Sequence, residues 1–594
     1  MSEQPKSQTP WSKLLDAINR LFDPRRAAQS AENFSLKYPE EPDPQEPYDL
    51  TQHTHLHVQP DSPVGRLKVR SGAAAEHVAQ TMQRLGTDLA GDVELNLGRL
   101  KDALNAEKSA DIVIRPLRIS AAPPLRAYIV YVDGIVDSTA LEEAILEPLL
   151  ELGRCQTPVR GVPLLELVES TLVASRQTEQ IYQLSTVVES VVAGQVALLL
   201  ESVPGALLLE ARAWPGRGVE KPITEAVAKG PHEAFTETIR TNSALIRRRL
   251  MTPDLVFEPG QLGRRSRSYI YLAYLKSVVS EDLLRELRRR LSQIDVDVVI
   301  DSGVLQQYLE DSQKGLFPTI GYTERPDRVA AAIAEGRVGL MVDGSPYVVI
   351  VPWLFGDYFR ISEDYYVKWP FGTLLRIIRI MGAVITLTLP ALYIAIANFH
   401  HEMIPSALLL AIAASREAVP FPAPLEVVMM EAAFEIIREG SLRIPSMLGQ
   451  TVGIVGALIL GQAAVQAAIV SPILVIVVAL TALGSFTIPN YEMSMVLRFL
   501  RFGFIILATA GGLYGIALGL LVLSAHAASL RSLGVPYLAP SGPRIPGSPD
   551  VIARAPLSAM DRRSDVARPK DKRREARKVI APAPGKADML GGNE

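Results

Sequence analysis

The side chains best suited to chemistry in this sequence are charged and amide groups that interrupt long apolar stretches. Glu431, Glu435, Arg438 and Glu439 fall on one stripe of a helix that turns about 100° per residue. Such a stripe predicts either an amphipathic helix at a membrane surface or one half of a broken membrane hairpin that lines a wet cavity. In the second case, the acidic stripe of Glu431 and Glu435 would concentrate cations along a conducting path.

Three glutamines interrupt a later stretch of small and apolar residues that runs from Gln450 to Ile469. A pore-lining helix needs few charges, some polar groups for water and ions, and an apolar constriction that closes by dewetting. Gln462 and Gln466 would supply the polar groups. The candidates for the constriction are Val452, Val455 and Ile459. The alternative is that the glutamines form hydrogen bonds between helices and that nothing passes through.

Signals for an enzyme or a metal site are weak. The sequence has no phosphate-binding G-x-x-x-x-G-K-S/T motif, no H-E-x-x-H and no G-x-S-x-G, so we expect neither catalysis nor a cofactor. His53, His55 and His57 alternate and could bind a metal from one face of a strand, but an incidental polar loop is the alternative. The single cysteine, Cys155, excludes an intrachain disulfide and a Cys-rich zinc module.

Hydrophobicity divides the 594 residues into two parts. Charges are spread through residues 1–370, whereas three later runs contain no Asp, Glu, Lys or Arg: Ile380–Phe399, Ile444–Tyr491 and Phe502–Leu530. A membrane-spanning helix needs about 20 apolar residues, so we predict a helical transmembrane domain of four to six spans over 366–530. The net charge of −3 excludes a basic nucleic-acid-binding footprint over the whole chain, so we expect no nucleic-acid partner. The uncharged apolar runs predict membrane lipid as a partner.

Basic residues predict the orientation of these spans. Lys368, Arg376 and Arg379 precede the first span, and Arg498 and Arg501 precede the last. The positive-inside rule places them in the cytoplasm, together with the N-terminal region, since MSEQPKSQTP does not begin a signal peptide.

The N-terminal region contains an internal repeat. Val187–Glu210 resembles Val329–Pro352, with Gly and Pro ten residues apart in each copy, and AYIVYVDGIVD at Ala127 resembles SYIYLAYLKSV at Ser268. The second pair of segments matches Tyr128 with Tyr269. Apolar runs rich in Val and Ile indicate buried strands. The predicted fold class is therefore an α/β cytoplasmic N-terminal region of two related subdomains, at 71–212 and 213–365, followed by an α-helical transmembrane domain.

Both termini are predicted to be largely disordered. Residues 1–70 include the segment PEEPDPQEP at 39–47, and a short amphipathic helix over Trp11–Phe22 would touch a membrane or a partner. Residues 531–594 form a basic tail, in which Arg562–Lys578 holds nine Lys and Arg against three Asp and Glu.

Several long segments, in this order, resemble the A subunit of the GerA-type spore germinant receptors. They are IRTNSALIRRRL at 239–250, ERPDRVAAAIAEGRVGLMVDGSPYVVIVP at 324–352, PFPAPLEVVMMEAAFEIIREG at 420–440, LGQTVGIVGALILGQAAVQAAIVSP at 448–472 and ALTALGSFTIPNY at 479–491. The resemblance covers residues 108–535 and stops before the basic tail.

This resemblance implies a multi-pass protein of the spore inner membrane. It implies a homo-oligomer, a pentamer, that forms a nutrient-gated cation channel and assembles with a transporter-like B subunit and a lipoprotein C subunit. Two other functions remain open: a non-conducting membrane scaffold or sensor, and a solute transporter with a broken-helix site near Pro420–Pro424.

Overall fold

A computed structural model describes residues 88–574, apart from 120–124, 153–167, 169–177, 213–220, 223, 314, 444–460, 546–549 and 551. The predicted N-terminal arm at 1–70, with His53, His55 and His57, lies outside the described residues. So do Val452, Val455 and Ile459, the candidates for the apolar constriction.

The first half of the described chain folds into two units, each built on a five-stranded antiparallel sheet. The sheet of the first unit has the strand order β1-β2-β4-β5-β3, and that of the second has β6-β7-β9-β10-β8. The strands are β1 Ile112–Ile119, β2 Leu125–Val132, β3 Thr178–Ile181, β4 Val196–Leu200, β5 Ala206–Leu209, β6 Leu255–Leu262, β7 Ser268–Leu275, β8 Gly321–Thr323, β9 Val338–Val342 and β10 Val348–Val351. The equal strand order confirms the predicted two related subdomains.

Helices cover both faces of each sheet, which is why the inner strands β4, β5, β9 and β10 are apolar at every position and wholly buried. The helices of the first unit are α1 Val93–Leu104, α2 Ser138–Leu141, α3 Glu147–Leu152 and α4 Leu184–Val192. Those of the second are α5 Ile239–Arg247, α6 Glu281–Gln293, α7 Ser302–Leu309 and α8 Pro326–Ala334.

The strand register corrects one detail of the predicted repeat. Tyr128 on β2 faces Pro116 on β1, and Tyr271 on β7 faces Pro259 on β6 at the same place in the second sheet. Tyr271, not Tyr269, is therefore the counterpart of Tyr128. The sequence comparison slipped by two residues because side chains alternate with a period of two along a strand, and a slip of two keeps the same buried face.

The second half of the described chain is helical, as predicted. After the short α9 Glu363–Tyr366 come α10 Trp369–Asn398, α11 Ser406–Arg416, α12 Ala423–Arg443, α13 Pro472–Phe486 and α14 Tyr491–Ser529. Of the described helices, α10 and α14 are long and apolar enough to cross a membrane, and α13 is a shorter apolar helix.

Helix α14 folds back on itself at Gly512, a reversal that the uncharged run did not predict. Gly512 has φ 55° and ψ −133°, a conformation that residues with a side chain rarely adopt. Gly515 then packs against the backbone of Leu507 so closely that a Cβ would lie 1.9 Å from the Leu507 oxygen. The 39 residues of α14 therefore form two antiparallel segments rather than one span.

The reversal places both ends of α14 beside the second unit. At the turn, the Leu513 N–H donates to His400 Nε2 at 3.3 Å, just beyond the end of α10. At the other end of the bundle, Gln306 of α7 contacts Glu492 near the start of α14, and Ser532 Oγ beyond its end accepts a hydrogen bond from the Trp353 N–H. The sheets and the C-terminal tail thus lie at the same end of the helices.

The C-terminal tail differs from its prediction over the described part of 531–574, which packs on the second unit. Two short strands, β11 Arg531–Ser532 and β12 Val535–Pro536, begin it. Further on, Arg563 Nε donates to the Ala334 oxygen at 2.7 Å, and Lys570 Nζ lies 2.6 Å from Glu281 Oε1. Disorder was predicted from the excess of basic side chains in the tail. The sequence of the tail does not show that carboxylates on the second unit pair with some of them.

Candidate functional site

A network of ion pairs joins α12 to the first segment of α14. Arg501 Nη1 lies 2.9 Å from Glu431 Oε2, and Arg501 Nη2 lies 2.8 Å from Glu435 Oε1. Arg498 Nη1 lies 2.7 Å from Glu435 Oε2. The side chains of Arg501 and Glu431 are only 3% and 2% exposed, whereas that of Glu435 is 29% exposed.

Helical spacing explains why these four side chains meet. Glu431 and Glu435 are one turn apart on α12, and Arg498 and Arg501 are one turn apart on α14, so each pair shares a helix face. Burying charges costs several kcal/mol per ion unless each has a partner, so the two faces must lie together. The predicted acidic stripe is thus paired with guanidinium groups within one chain.

Arg438, the third predicted member of the stripe, faces another helix. Its Nη2 donates to Ser485 Oγ of α13 at 2.7 Å, and its guanidinium lies 4.7 Å from the centre of the Phe486 ring. The polar side of α12 therefore contacts both α13 and α14. Sequence reasoning did not identify either contact.

Glu426, at the start of α12, binds the N-terminus of the neighbouring helix α13. Its carboxylate is fully buried and accepts from the Ser471 N–H at 3.2 Å. Ser471 is the N-cap of α13, so the carboxylate lies at the positive end of that helix, where it is favourable. Arg416 Nε approaches the other carboxylate oxygen to 3.5 Å.

Of the predicted pore residues, the structure describes Gln462 and Gln466. Gln462 and Gln466 lie on the helical residues 461–466 and are exposed in the single chain. Gly461 on the same segment approaches Val475 of α13, where a Cβ would be in ordinary contact at 3.5 Å. The polar side chains therefore point away from the buried helix contacts.

The basic residues that predicted the orientation of α10 form a buried junction with the tail. Arg379 Nη1 lies 2.8 Å from Asp364 Oδ1, and Arg376 Nη1 lies 2.6 Å from Asp550 Oδ1. Asp364 is completely buried. Sequence reasoning missed Asp364 and Asp550 because nothing local relates Asp550 to a helix that begins far earlier in the chain.

A second junction connects the second unit to both ends of α14. Gln306 Nε2 donates to Glu492 Oε2 at 2.9 Å, and the ring of Phe317 stacks on His526 with centroids 6.1 Å apart. Glu310 accepts from the Thr319 N–H at 3.1 Å beside this junction. Burial, with a smaller contribution from the nearby Glu492 carboxylate, raises the pKa of Glu310 to about 7.

This pKa predicts that the junction weakens as the pH rises. A carboxyl group with a higher pKa in the folded state stabilises the fold below its unfolded pKa, near 4.5, and loses that contribution as the pH rises through about 7. We expect Glu310→Gln to raise stability at pH 8 by about 1 kcal/mol, after allowance for solvent screening, and to change little at pH 4. Thermal unfolding of the detergent-solubilised chain at both pH values measures this. An equal effect at both would contradict it.

Among the described residues, no group of three His, Cys, Asp or Glu side chains is arranged to hold a metal ion. His400 accepts the hydrogen bond from the Leu513 N–H at the reversal in α14.

Comparisons with known proteins agree with the resemblance seen in the sequence. The model of the Bacillus/Clostridium GerA spore germination protein family matches residues 99–566, so the match extends beyond residue 535 into the tail. Spore germination protein KA of Bacillus subtilis is 38% identical over 472 residues, which cover 79% of this chain and 86% of that protein. Spore germination protein B1 of Bacillus subtilis is 35% identical over 490 residues, 82% of this chain and 99% of that protein.

A solved structure is also similar in sequence. The crystal structure of the N-terminal domain of the A subunit of the Bacillus megaterium spore germinant receptor GerK3 is 31% identical, with a TM-score of 0.36, and covers 45% of this chain and 97% of that one. The family match spans well over half of the 594 residues, and near full-length relatives exceed 30% identity. The chain belongs to the GerA spore germination protein family.

Proposed function

We propose that this chain is the A-type subunit of a spore germinant receptor and lies in the spore inner membrane. The observation that carries the proposal is the similarity to spore germination proteins, which extends over most of this chain and most of each relative. Such a receptor detects a nutrient and starts germination. Deletion of the gene in its host should abolish germination with at least one nutrient, and the gene in trans should restore it. Unchanged germination with all nutrients tested would contradict the proposal.

The membrane placement rests on the exposed apolar surface of the helices. A soluble protein would not leave so many large apolar side chains open to water, whereas lipid would cover them. On α10 and α14 these include Phe371, Leu374, Ile378, Met381, Phe499, Ile506, Leu518 and Leu521. Basic residues collect at the end of the bundle that carries the sheets, so we assign the sheets and the tail to the cytoplasm.

We further propose that copies of the chain assemble as a homo-oligomer, a pentamer, into a nutrient-gated cation channel. The helix that contains Gln462 and Gln466 would line the pore, with Val452, Val455 and Ile459 as the constriction. The exposure of both glutamines in the single chain supports this, because it leaves them available to water or to a neighbouring copy. A transporter-like B subunit and a lipoprotein C subunit complete the receptor.

The constriction predicts leaking variants. Val455→Ala or Ile459→Ala widens an apolar gate and should favour its wet, open state, since water in a narrow apolar pore lacks hydrogen-bond partners. We expect current without nutrient in planar bilayers and premature germination of spores. The matched control is Val384→Ala, an exposed valine of α10 outside the proposed pore helix, which should leave dormancy intact. If alanine at all three candidates left dormancy intact, this helix would not line the pore.

A non-conducting scaffold or sensor is the second candidate function. The pairing of Glu431 and Glu435 with Arg498 and Arg501 favours it, because these carboxylates are less available to passing cations. Single-channel recording from the reconstituted receptor separates the two functions. Nutrient-dependent current supports the channel, and its absence in a receptor that still binds nutrient supports the scaffold.

A further inference from the structure

A cavity of about 310 Å³ lies where α8, the segment after β10 and the C-terminal tail meet. It is separate from the charged network of the helices and from the proposed pore. Its volume is at the lower end of the range of small-molecule sites. Apolar side chains from all three segments form part of its wall: Ala331, Leu354, Leu557, Met560 and Val566.

The polar lining of the cavity has a cationic surplus. Each carboxylate in the wall already has a partner in the protein. The partners are Arg325 and Tyr366 for Asp327, Arg574 for Glu335, Arg337 and Arg360 for Asp357, and Arg376 for Asp550. Arg562, in contrast, is exposed at the wall and makes no ion pair with any residue that the structure describes.

The wall also contains a donor that is not used. Trp353 is 2% exposed, and its indole Nε1 has no hydrogen-bond partner within the described part of the chain. The guanidinium groups of Arg328 and Arg337 lie 4.7 and 5.5 Å from the centre of the Trp353 ring. A buried N–H without an acceptor is unfavourable, so an acceptor that enters the cavity would gain from meeting it.

We propose that this cavity binds a small organic anion, a carboxylate or phosphate ester with an apolar body. Arg562 and Arg574 hold the anionic group at the tail side, and the apolar body lies against Leu557 and Met560. The chain beyond residue 574 is a poor occupant, because it continues with basic residues such as Arg577 and Lys578. The proposal goes beyond nutrient gating, since the site lies at the end of the molecule that carries the sheets.

Binding here would affect the attachment of the helices. Asp550 contributes to the cavity wall and also pairs with Arg376 of α10 at 2.6 Å. A ligand that holds the tail on the second unit would therefore also hold the tail on the first long helix. Because the sheets and the tail are assigned to the cytoplasm, a cytoplasmic metabolite that binds here would strengthen the contact between the sheets and the helices.

The test uses the full chain in nanodiscs of neutral phosphatidylcholine, which provides no anionic lipid. Trp11→Phe, Trp214→Phe and Trp369→Phe leave Trp353 as the only tryptophan. Phenyl phosphate, benzoate and the neutral benzamide are titrated while Trp353 emission is followed. We expect saturation with phenyl phosphate or benzoate at a dissociation constant on the order of 1 mM, and none with benzamide.

Two single variants assign the effect to the cavity. Arg562→Gln should weaken binding roughly tenfold, because it removes a charge-assisted hydrogen bond. Arg118→Gln, an exposed arginine on β1 of the first unit, is the matched control and should leave the affinity unchanged. If the triple tryptophan variant does not fold, the shift of the melting temperature of the unaltered chain with each probe replaces the emission.

Binding of one anion and not the other identifies the headgroup as phosphate or carboxylate and supports the site. An equal response to benzamide, no saturable response to either anion, or an Arg562→Gln variant that binds as tightly as the parent would overturn it.

Discussion

Replacing Arg247 with methionine should destabilise the two sheet-bearing units by about 3–5 kcal/mol, the usual cost of removing one partner from a buried ion pair. Arg247, at the end of α5 in the second unit, is 1% exposed, and its Nη2 lies 2.7 Å from Oδ2 of the buried Asp111 of the first unit. It also donates to the Thr252 and Leu255 oxygens at 2.9 and 3.0 Å. The variant leaves a buried carboxylate without its cation and takes the guanidinium donors away from the Thr252 and Leu255 carbonyl oxygens.

The matched control is an exposed arginine of the second unit. Arg264 pairs with Asp295 at 3.1 Å, but both side chains are well over half exposed, so Arg264→Met should cost no more than about 0.5 kcal/mol. The double variant Asp111→Leu with Arg247→Met should recover part of the loss, because a buried pair can be replaced by apolar side chains. Denaturant unfolding of the solubilised chain measures all three. An Arg247→Met effect as small as that of the control would show that the pair does not hold the units together.

The second large effect is expected at Arg501. Arg501 contacts Glu431 at 2.9 Å and Glu435 at 2.8 Å, so Arg501→Gln removes the one guanidinium among the described residues that pairs with Glu431. We expect a loss of about 3–5 kcal/mol, which would appear as a large fall in the amount of folded protein extracted from membranes. Arg498→Gln should cost clearly less, because Glu435 keeps Arg501 and is partly open to solvent.

The same ion-pair network allows two roles for Glu431 and Glu435 to be distinguished by experiment. If Glu431 and Glu435 line a cation path, Gln at both positions should reduce conductance or selectivity while assembly remains intact. If the carboxylates serve only to pair the arginines, the double variant should lower assembly in proportion to the Arg501→Gln variant and leave the conductance of the surviving receptors unchanged. Counting assembled receptors by size-exclusion chromatography, with recordings from the same preparation, separates the two roles.

Features that depend on residues close in sequence could be predicted from the sequence. The uncharged runs predicted where the helical region lies, because twenty apolar residues in succession are incompatible with a solvated loop. The matched Gly and Pro of Val187–Glu210 and Val329–Pro352 predicted two units of the same topology, which the equal strand orders confirm. The stripe of Glu431 and Glu435 followed from helical periodicity alone.

Features that depend on contacts between distant residues were decided by the tertiary structure. Phe502–Leu530 has the same apolar pattern on both sides of Gly512, so nothing in the pattern shows that the helix reverses there. Glu431 and Arg501, or Arg376 and Asp550, are neighbours only because whole elements pack together. Local preference determines which segments are strands and helices, but the partner of a buried charge depends on which distant side chain can satisfy it, and that is settled when the elements pack.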